Sequence, residues 1–188
     1  MNDVAEVLKN EVLAERFAQQ APAGMLVEAE VSFASQHLSN NPYLMKVANQ
    51  NPKSLLSAMS NVAACGLSLN PSEKQAYLVP RKGAIYFDPS YVGLIRLATN
   101  SGSIEWVQAY LVYETDTFRF MGAGEKPVHE HDPFKKDRGE FRGVYCVAKT
   151  KTGDYLTTAM SEAEVLEIRD KSEAFKSGGK GPWKDYFE

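Results

Sequence analysis

Residues 77–91 read YLVPRKGAIYFDPSY, two short apolar and aromatic runs on either side of a basic turn. Apolar side chains at alternate positions are typical of β-strands, and a turn that ends in glycine is typical of a hairpin. We therefore predict strands at residues 76–80 and 84–88, joined by a three-residue loop. This hairpin marks the change from helical to strand periodicity along the chain, so it decides the fold class.

The predicted register gives the hairpin two apolar faces. One face carries Tyr77, Val79, Ile85 and Phe87. The opposite face carries Leu78, Pro80, Ala84 and Tyr86. A hairpin that is apolar on both sides must be covered on both sides or must offer one side to a ligand. The residues alone leave both alternatives open.

Upstream of the hairpin, apolar residues recur at helical spacing. The pattern predicts an amphipathic helix at residues 3–19, a second periodic run from Leu26 to Leu38 and a short helix at residues 42–48. Asn51 followed by Pro52 predicts an N-cap and a first-turn proline, and Gly66 predicts the end of that helix.

Downstream, Asp88-Pro89-Ser90 caps a predicted helix that starts at Tyr91 and ends near residue 99. Four strand-like runs follow, at residues 104–112, 117–120, 141–150 and 155–160. Ser161 and Glu164 form a capping box for a last helix. This order predicts an α+β fold with N-terminal helices, a β-hairpin followed by a helix, a small antiparallel sheet and a C-terminal helix.

Composition excludes several classes of protein. The 188-residue chain has no signal-peptide pattern and no apolar run near the roughly 20 residues that span a bilayer, so we expect a cytoplasmic protein and no membrane partner. Cys65 and Cys146 lack metal or disulfide spacing and are expected to be buried thiols. The net charge of −3 gives no global sign of nucleic-acid binding. Residues 126–151, however, hold seven bases against four acids.

Catalytic motifs are weak. The glycines near Lys180 do not complete a phosphate loop, because the required first glycine is Ala174. Residues 129–132, His-Glu-His-Asp, have spacing that a metal could use, which leaves a metal-dependent nuclease as an alternative to a solvated loop. We expect no catalytic residues, no resident metal and no cofactor, and we do not expect an enzyme.

Cations alternate with aromatic residues in two places. The first group is Lys74, Tyr77, Arg81, Lys82, Tyr86, Tyr91 and Arg96, and the second is Lys176, Lys180, Trp183, Lys184 and Tyr186. Single-stranded nucleic acid is bound by basic grooves and by rings on which bases stack, each stack contributing about 1–3 kcal/mol. The same residues also suit an aromatic core whose Lys and Arg stems cover apolar surface.

Ordered blocks of this sequence resemble one known family. Residues 77–98, YLVPRKGAIYFDPSYVGLIRLA, followed by Ser101-Gly102, are similar to the core of the RecT family of phage single-strand DNA annealing proteins. Similar blocks lie upstream, at residues 63–71, and downstream, at residues 143–149, 160–169 and 181–183. The likeness covers roughly residues 40–188. One departure is Asp88-Pro89-Ser90 where that family usually has glycine before the tyrosine that starts the helix.

The resemblance implies ATP-independent binding of single-stranded DNA and annealing of complementary strands in phage-type homologous recombination. It implies a homo-oligomer, as a ring or a helical filament, and a partner exonuclease. It also favours the face of Tyr77, Val79, Ile85 and Phe87 as the packed side of the hairpin. The residues that would bind single-stranded and annealed duplex DNA are Lys74, Arg81, Lys82, Tyr86, Tyr91, Arg96, Lys180, Trp183 and Lys184. Structural alternatives stay open for three of them: Tyr91 as a core ring, Trp183 as a packing anchor and Arg96 as an intersubunit ion pair.

The resemblance also implies a domain organisation. Residues 1–24 would form a helical arm that contacts a neighbouring subunit, and residues 25–175 the annealing core. Residues 176–188 would be a flexible basic and aromatic segment, truncated before a further basic helix. In the family, a small C-terminal domain beyond that helix contacts the host single-strand-binding protein. A phage assembly protein without DNA affinity is the remaining alternative.

Overall fold

The computed structural model describes residues 11–176 and residue 183. The chain divides into two compact units, Met1–Ser101 and Gly102–Glu188. Helices, a hairpin and a small antiparallel sheet occur together, which confirms the predicted α+β class. The domain limits at residues 24 and 175 stay predictions. Within the described residues, no helix is both long and apolar enough to cross a bilayer.

In the described part of the first unit, helices precede the hairpin. They are α1 (Glu11–Gln20), α2 (Val27–Asn40), α3 (Pro42–Gln50) and α4 (Pro52–Cys65). The Asn51 side chain accepts a hydrogen bond from the Ser54 N–H, and Gly66 ends α4 at φ 63°, as the sequence predicts. Residues 3–10 of the predicted first helix lie outside the described residues.

The core of the first unit centres on α4. Its largest fully buried side chains are Phe17, Leu38, Leu44, Leu55, Met59, Val62, Leu67 and Leu69. Phe17 belongs to α1, so at least this part of the predicted arm is core of its own unit. Glu30 is also buried, and its carboxylate accepts hydrogen bonds from the Ser68 hydroxyl and the Leu69 N–H, each at 2.7 Å.

The hairpin consists of β1 (Ala76–Arg81) and β2 (Ala84–Pro89). Arg81 pairs with Ala84, which leaves a two-residue loop of Lys82 and Gly83. Both loop residues have positive φ, 48° and 73°, the combination that defines a type I′ turn. The prediction of a three-residue loop is therefore wrong. The predicted loop places only Gly83 in the left-handed conformation, whereas Lys82 adopts it as well.

The shorter loop changes the predicted faces of the hairpin. Leu78 pairs with Phe87, and the buried side of the sheet carries Leu78 and Ile85, which are 5% and 3% exposed. Tyr77, predicted on the packed side, is 39% exposed instead. The assignment of Tyr77 and Val79 to the same face as Ile85 and Phe87 is wrong, because a one-residue change in loop length moves one strand's side chains to the other face.

Helix α5 (Tyr91–Asn100) follows the hairpin directly. The Ser90 hydroxyl accepts a hydrogen bond from the Gly93 N–H at 3.1 Å, which confirms the predicted cap. Gly93 is buried, and a Cβ placed on it would lie 2.1 Å from the carbonyl oxygen of Gln75. Glycine thus lets α5 approach the backbone that leads into β1.

The second unit is built on a three-stranded antiparallel sheet. Its elements in chain order are β3 (Ile104–Tyr113), β4 (Thr117–Arg119), β5 (Val128–Glu130), β6 (Phe141–Thr150), β7 (Tyr155–Ser161), α6 (Glu162–Lys171) and α7 (Glu173–Lys176). The sheet order is β3-β6-β7, and β4 pairs with β5 as a separate hairpin. The Ser161 and Glu164 capping box is present at α6.

The core of this second unit is small. Val112, Tyr145 and Val147 are the buried residues of its hydrophobic cluster, with partly buried rings around them. The two cysteines are free and each is partly exposed, so the prediction that they are buried thiols is correct only in part. Burial raises the pKa of the Cys146 thiol, which keeps it protonated near neutral pH.

Candidate nucleic-acid interface

The outer face of the β1–β2 hairpin presents rings and a cation. Tyr77 and Tyr86 are 39% and 48% exposed, and both lie on the face that Arg81 shares. Tyr86 is the diagonal neighbour of Tyr77 and of Arg81 across the strand pair, within reach of a long side chain. The Tyr77 ring also meets the ring of His37 edge-on, at 6.3 Å between centroids. The face therefore holds aromatic surface in a fixed arrangement.

The tip of the hairpin is held by the start of α4. The Ile85 N–H donates to the Ser54 hydroxyl at 2.9 Å, and the Asn51 side-chain amide donates to the Gly83 carbonyl at 3.4 Å. The exposed Lys82 projects from this supported turn. An L-residue in the left-handed region is strained, and such strain is typical of functional turns.

Arg81 is not a free cation. Its guanidinium donates to the carboxylate of Asp88, and the two side chains are 56% and 41% exposed. Sequence analysis placed Asp88 in a helix cap and missed this pairing. An exposed pair of this kind contributes about 0–1 kcal/mol to stability, so a phosphate can compete for the guanidinium.

The start of α5 brings Lys74 near Tyr91. The carbonyl of Lys74 accepts a hydrogen bond from the Ser90 hydroxyl, and the Ser90 N–H donates to the carbonyl of Gln75 at 2.9 Å. Lys74 has φ 54° and is exposed. Tyr91 is 76% exposed, so it is not a core ring of this unit. A cation, a ring and the positive end of a helix dipole therefore lie together.

Arg96 lies away from this group. Five residues along a helix correspond to about 140° of rotation from Tyr91, so the two side chains leave α5 in different directions. Arg96 and Asn100 line a cleft of about 470 Å³ whose walls include Glu30 and Glu73. Arg96 has no ion pair within the described residues.

The C-terminal candidates are largely outside the described residues. Lys180 and Lys184 lie in the part of the chain that the structure does not describe. Trp183 is partly buried and has an interaction partner. These three residues therefore stay sequence predictions as DNA contacts.

The His129–Asp132 segment has another role than the one considered from its sequence. The Nε2 of His129 is hydrogen-bonded to the Asp116 carboxylate at 3.1 Å, and its Nδ1 is hydrogen-bonded to the Tyr145 hydroxyl at 3.2 Å. The part of the chain that the structure describes contains no group of three or more His, Cys, Asp or Glu side chains placed to hold a metal. The segment is thus tied into a hydrogen-bonded network.

Asp116 is the centre of that network, and sequence analysis missed it. Its fully buried carboxylate accepts hydrogen bonds from the Arg138 guanidinium and, at 2.8 Å, from the Tyr113 N–H. The Arg138 guanidinium holds the pKa of Asp116 far below its usual range, against the opposing effect of burial. The guanidinium also lies over the Tyr113 ring, at 4.5 Å. The partners are 13 and 22 positions from Asp116, so no local motif could have indicated them.

Comparison with known proteins agrees with the blocks noted in the sequence. Residues 28–188 match the RecT family. The Protein RecT of Escherichia coli (strain K12) is 28% identical over 196 residues, and the match covers all of this chain and 70% of that protein. The family match spans far more than half of the chain. This chain therefore belongs to the RecT family of DNA recombination proteins.

Proposed function

We propose that this chain binds single-stranded DNA and anneals complementary strands without ATP, as a homo-oligomer in phage-type recombination. The hairpin β1–β2 and the start of α5 form the contact surface. A partner exonuclease supplies the single strands. Family membership supports this function, and the exposed cations and rings of the first unit support the surface.

The observation that carries the proposal is the solvent-facing side of the hairpin. Lys82 stands at a turn that α4 supports, and Tyr86 lies beside Arg81 on the outer face. Sequence-independent binding of single strands needs cations along the backbone and rings on which bases stack. Both are present on one side of a rigid hairpin whose other side is buried.

The second part of the surface is the start of α5. Lys74 and Tyr91 lie there beside backbone N–H groups, and the helix dipole favours a phosphate at the same place. Tyr91 is one of the most exposed large rings among the described residues. In this proposal Lys74 meets a phosphate and Tyr91 stacks on a base.

Annealing imposes a second requirement. Two strands repel each other through their phosphates, so the protein must screen those charges and leave the base edges free to pair. Contacts through phosphates and ring faces meet both conditions. No nucleoside triphosphate is needed, because pairing itself is favourable once the repulsion is screened.

The direct test is annealing of two complementary labelled oligonucleotides in the absence of ATP. We expect duplex to form much faster with the protein than without it, with both strands of unchanged length in Mg²⁺ or Mn²⁺. Shortened strands would support the nuclease alternative. Failure to bind single strands even at low salt would support an assembly protein without DNA affinity.

Variants locate the surface. Arg81→Gln with Lys82→Gln removes two cations, and the slope of log affinity against log salt should fall by about 1.4 if each meets a phosphate of a single strand. Tyr91→Ala should weaken binding about 5- to 150-fold, whereas Tyr91→Phe, which keeps the ring, should bind as the unaltered chain does. Lys126→Gln with Lys151→Gln, two exposed positions of the second unit, is the matched control for the paired charge change. Equal effects of this control and the hairpin changes would reject the assigned surface.

A further inference from the structure

A loop of the second unit is closed at both ends by one buried carboxylate. Residues 131–137, the clamped loop, lie between His129 and Arg138, and both of those side chains bind Asp116. Two backbone hydrogen bonds also hold the base of the loop. The Thr115 N–H donates to the Arg138 carbonyl at 3.0 Å, and the Glu114 N–H donates to the Glu140 carbonyl at 2.9 Å. The clamped loop therefore has a fixed base.

The tip of the clamped loop exposes a ring. Phe134 is 90% exposed, the highest value among the large apolar side chains of the described residues. The Asp132 carboxylate accepts a hydrogen bond from the Phe134 N–H at 2.9 Å, and the backbone carbonyl of Asp132 accepts one from the Lys135 N–H at 3.2 Å. This turn directs the ring into solvent, where it loses the burial that would normally stabilise a phenylalanine.

Two cations without ion pairs to other described residues lie beside that ring, in a loop whose two lysines and two aspartates balance in formal charge. The Asp132 carboxylate accepts a hydrogen bond from the Phe134 N–H, and the Asp137 carboxylate accepts one from the Gly139 N–H. Lys135 and Lys136 are exposed and make no ion pair with any described residue. An exposed ring next to two unpaired ammonium groups fits a flexible polyanion with stacking faces better than it fits an apolar or cationic partner.

We propose that the clamped loop is a further contact for single-stranded DNA, separate from the hairpin, in which Phe134 stacks on a base and Lys135 and Lys136 meet neighbouring phosphates. This inference rests on the proposed function. It assigns the buried Asp116 network the task of fixing the loop, since a mobile tip would lose more conformational entropy on binding.

Stacking can be observed through the fluorescence of an introduced tryptophan. Phe134→Trp places an indole at the tip, and Phe120→Trp places one at the opposite end of the β4–β5 hairpin, where Phe120 is 46% exposed. Titration with an oligothymidine should quench the added fluorescence of the first variant and leave that of the second unchanged. Equal quenching of both, or of neither, would overturn the stacking assignment.

The cations are tested by a salt series with the same oligothymidine. Lys135→Gln with Lys136→Gln should lower the salt slope by about 1.4, and Phe134→Ala should weaken binding about 5- to 150-fold. Lys126→Gln with Lys151→Gln, two exposed positions outside the clamped loop, is the matched control and should change neither quantity. These side chains are exposed, so circular dichroism should show that each variant is folded.

The outcomes separate this inference from the proposed function. If the unaltered chain binds no single-stranded DNA, both fail. If it binds, and the Arg81 and Lys82 changes weaken it while the Phe134, Lys135 and Lys136 changes do not, only the clamped-loop contact fails. A fall in assembly size with unchanged DNA affinity would reassign the clamped loop to a protein contact.

Discussion

The Arg81 guanidinium and the Asp88 carboxylate form an ion pair across the exposed face of the β1–β2 hairpin. The ion pair engages the Arg81 guanidinium, which the proposed DNA surface would use to bind a phosphate. Both side chains are well exposed, so the pair adds little to stability. Its effect is therefore expected on DNA affinity more than on folding.

Asp88→Asn should increase the affinity for single-stranded DNA. The change removes the carboxylate that competes with a phosphate for Arg81 and takes a negative charge from the surface, so we expect about 2- to 5-fold tighter binding at low salt, with a salt slope that stays the same because the number of phosphate contacts is unchanged. Fluorescence anisotropy over a salt series measures both. Asp154→Asn, an exposed change of equal charge in the second unit, should have a smaller effect. Unchanged affinity in Asp88→Asn would show that Arg81 does not meet DNA.

Lys82→Asn should make the protein more stable and a weaker DNA binder. Asn-Gly is the preferred pair for a type I′ turn, and relief of the positive φ of Lys82 should add about 0.5–1 kcal/mol to the free energy of unfolding. Loss of the cation should lower the salt slope by about 0.7. Lys82→Arg keeps both the charge and the strain, so it should match the unaltered chain. A less stable Lys82→Asn variant would contradict the turn assignment.

The sequence predicted those parts of the fold that local chemistry determines. Asn51, Pro52 and Gly66 bound α4 because a cap, a first-turn proline and a left-handed glycine act within one helical turn. The hairpin was placed correctly, but its register was not. Register depends on whether Lys82 joins Gly83 in the left-handed region, and support of the tip by Ser54 and Asn51 from α4 is not visible locally.

The candidate site likewise contains features that the local sequence indicates and features that arise only in the folded chain. Exposed rings and cations in a short stretch, Tyr86 and Tyr91 among them, could be selected from composition. The Asp116 network could not, because its members come from separate strands and a loop and meet only in the folded unit. The spacing of residues 129–132 therefore suggests a metal site, whereas in the structure His129 is a partner of the buried Asp116 carboxylate.

Gly93→Ala should destabilise the first unit. Alanine would normally favour a helix by about 1 kcal/mol, but the new Cβ would lie 2.1 Å from the Gln75 carbonyl oxygen, and that oxygen belongs to backbone. We expect a loss of about 2 kcal/mol or more, seen as a fall of at least about 4 °C in Tm. Gly124→Ala, with nothing within 4 Å of the added Cβ, is the control. A Tm that rises in Gly93→Ala would mean that α5 does not lie against this backbone.

Phe17→Ala tests whether α1 is part of the core or only an arm. The ring is fully buried, so its removal should lower the free energy of unfolding by about 3–5 kcal/mol. Gln19→Ala, an exposed change in the same helix, should have almost no effect. Denaturant unfolding measures the contribution of Phe17 to the core, and light scattering measures the assembly size, so the two measurements together separate the roles. Reduced assembly size with unchanged unfolding would favour the arm.

Asp116→Asn should remove a contribution to stability that depends on pH. The pKa of Asp116 is lowered in the folded protein, so the carboxylate stabilises the fold above its unfolded pKa of about 3.9, and this stabilisation declines as the pH falls below that value. Near neutral pH the variant leaves the partly buried Arg138 guanidinium without its counter-charge, which should cost roughly 2–4 kcal/mol. Urea unfolding from pH 7 to pH 3 should show the difference between the unaltered chain and the variant narrowing toward the acid end. Asp170→Asn, which breaks an exposed pair with Arg169, should cost less than about 1 kcal/mol throughout. A difference that stays constant down to pH 3 would place the effect of Asp116 in packing and not in its charge.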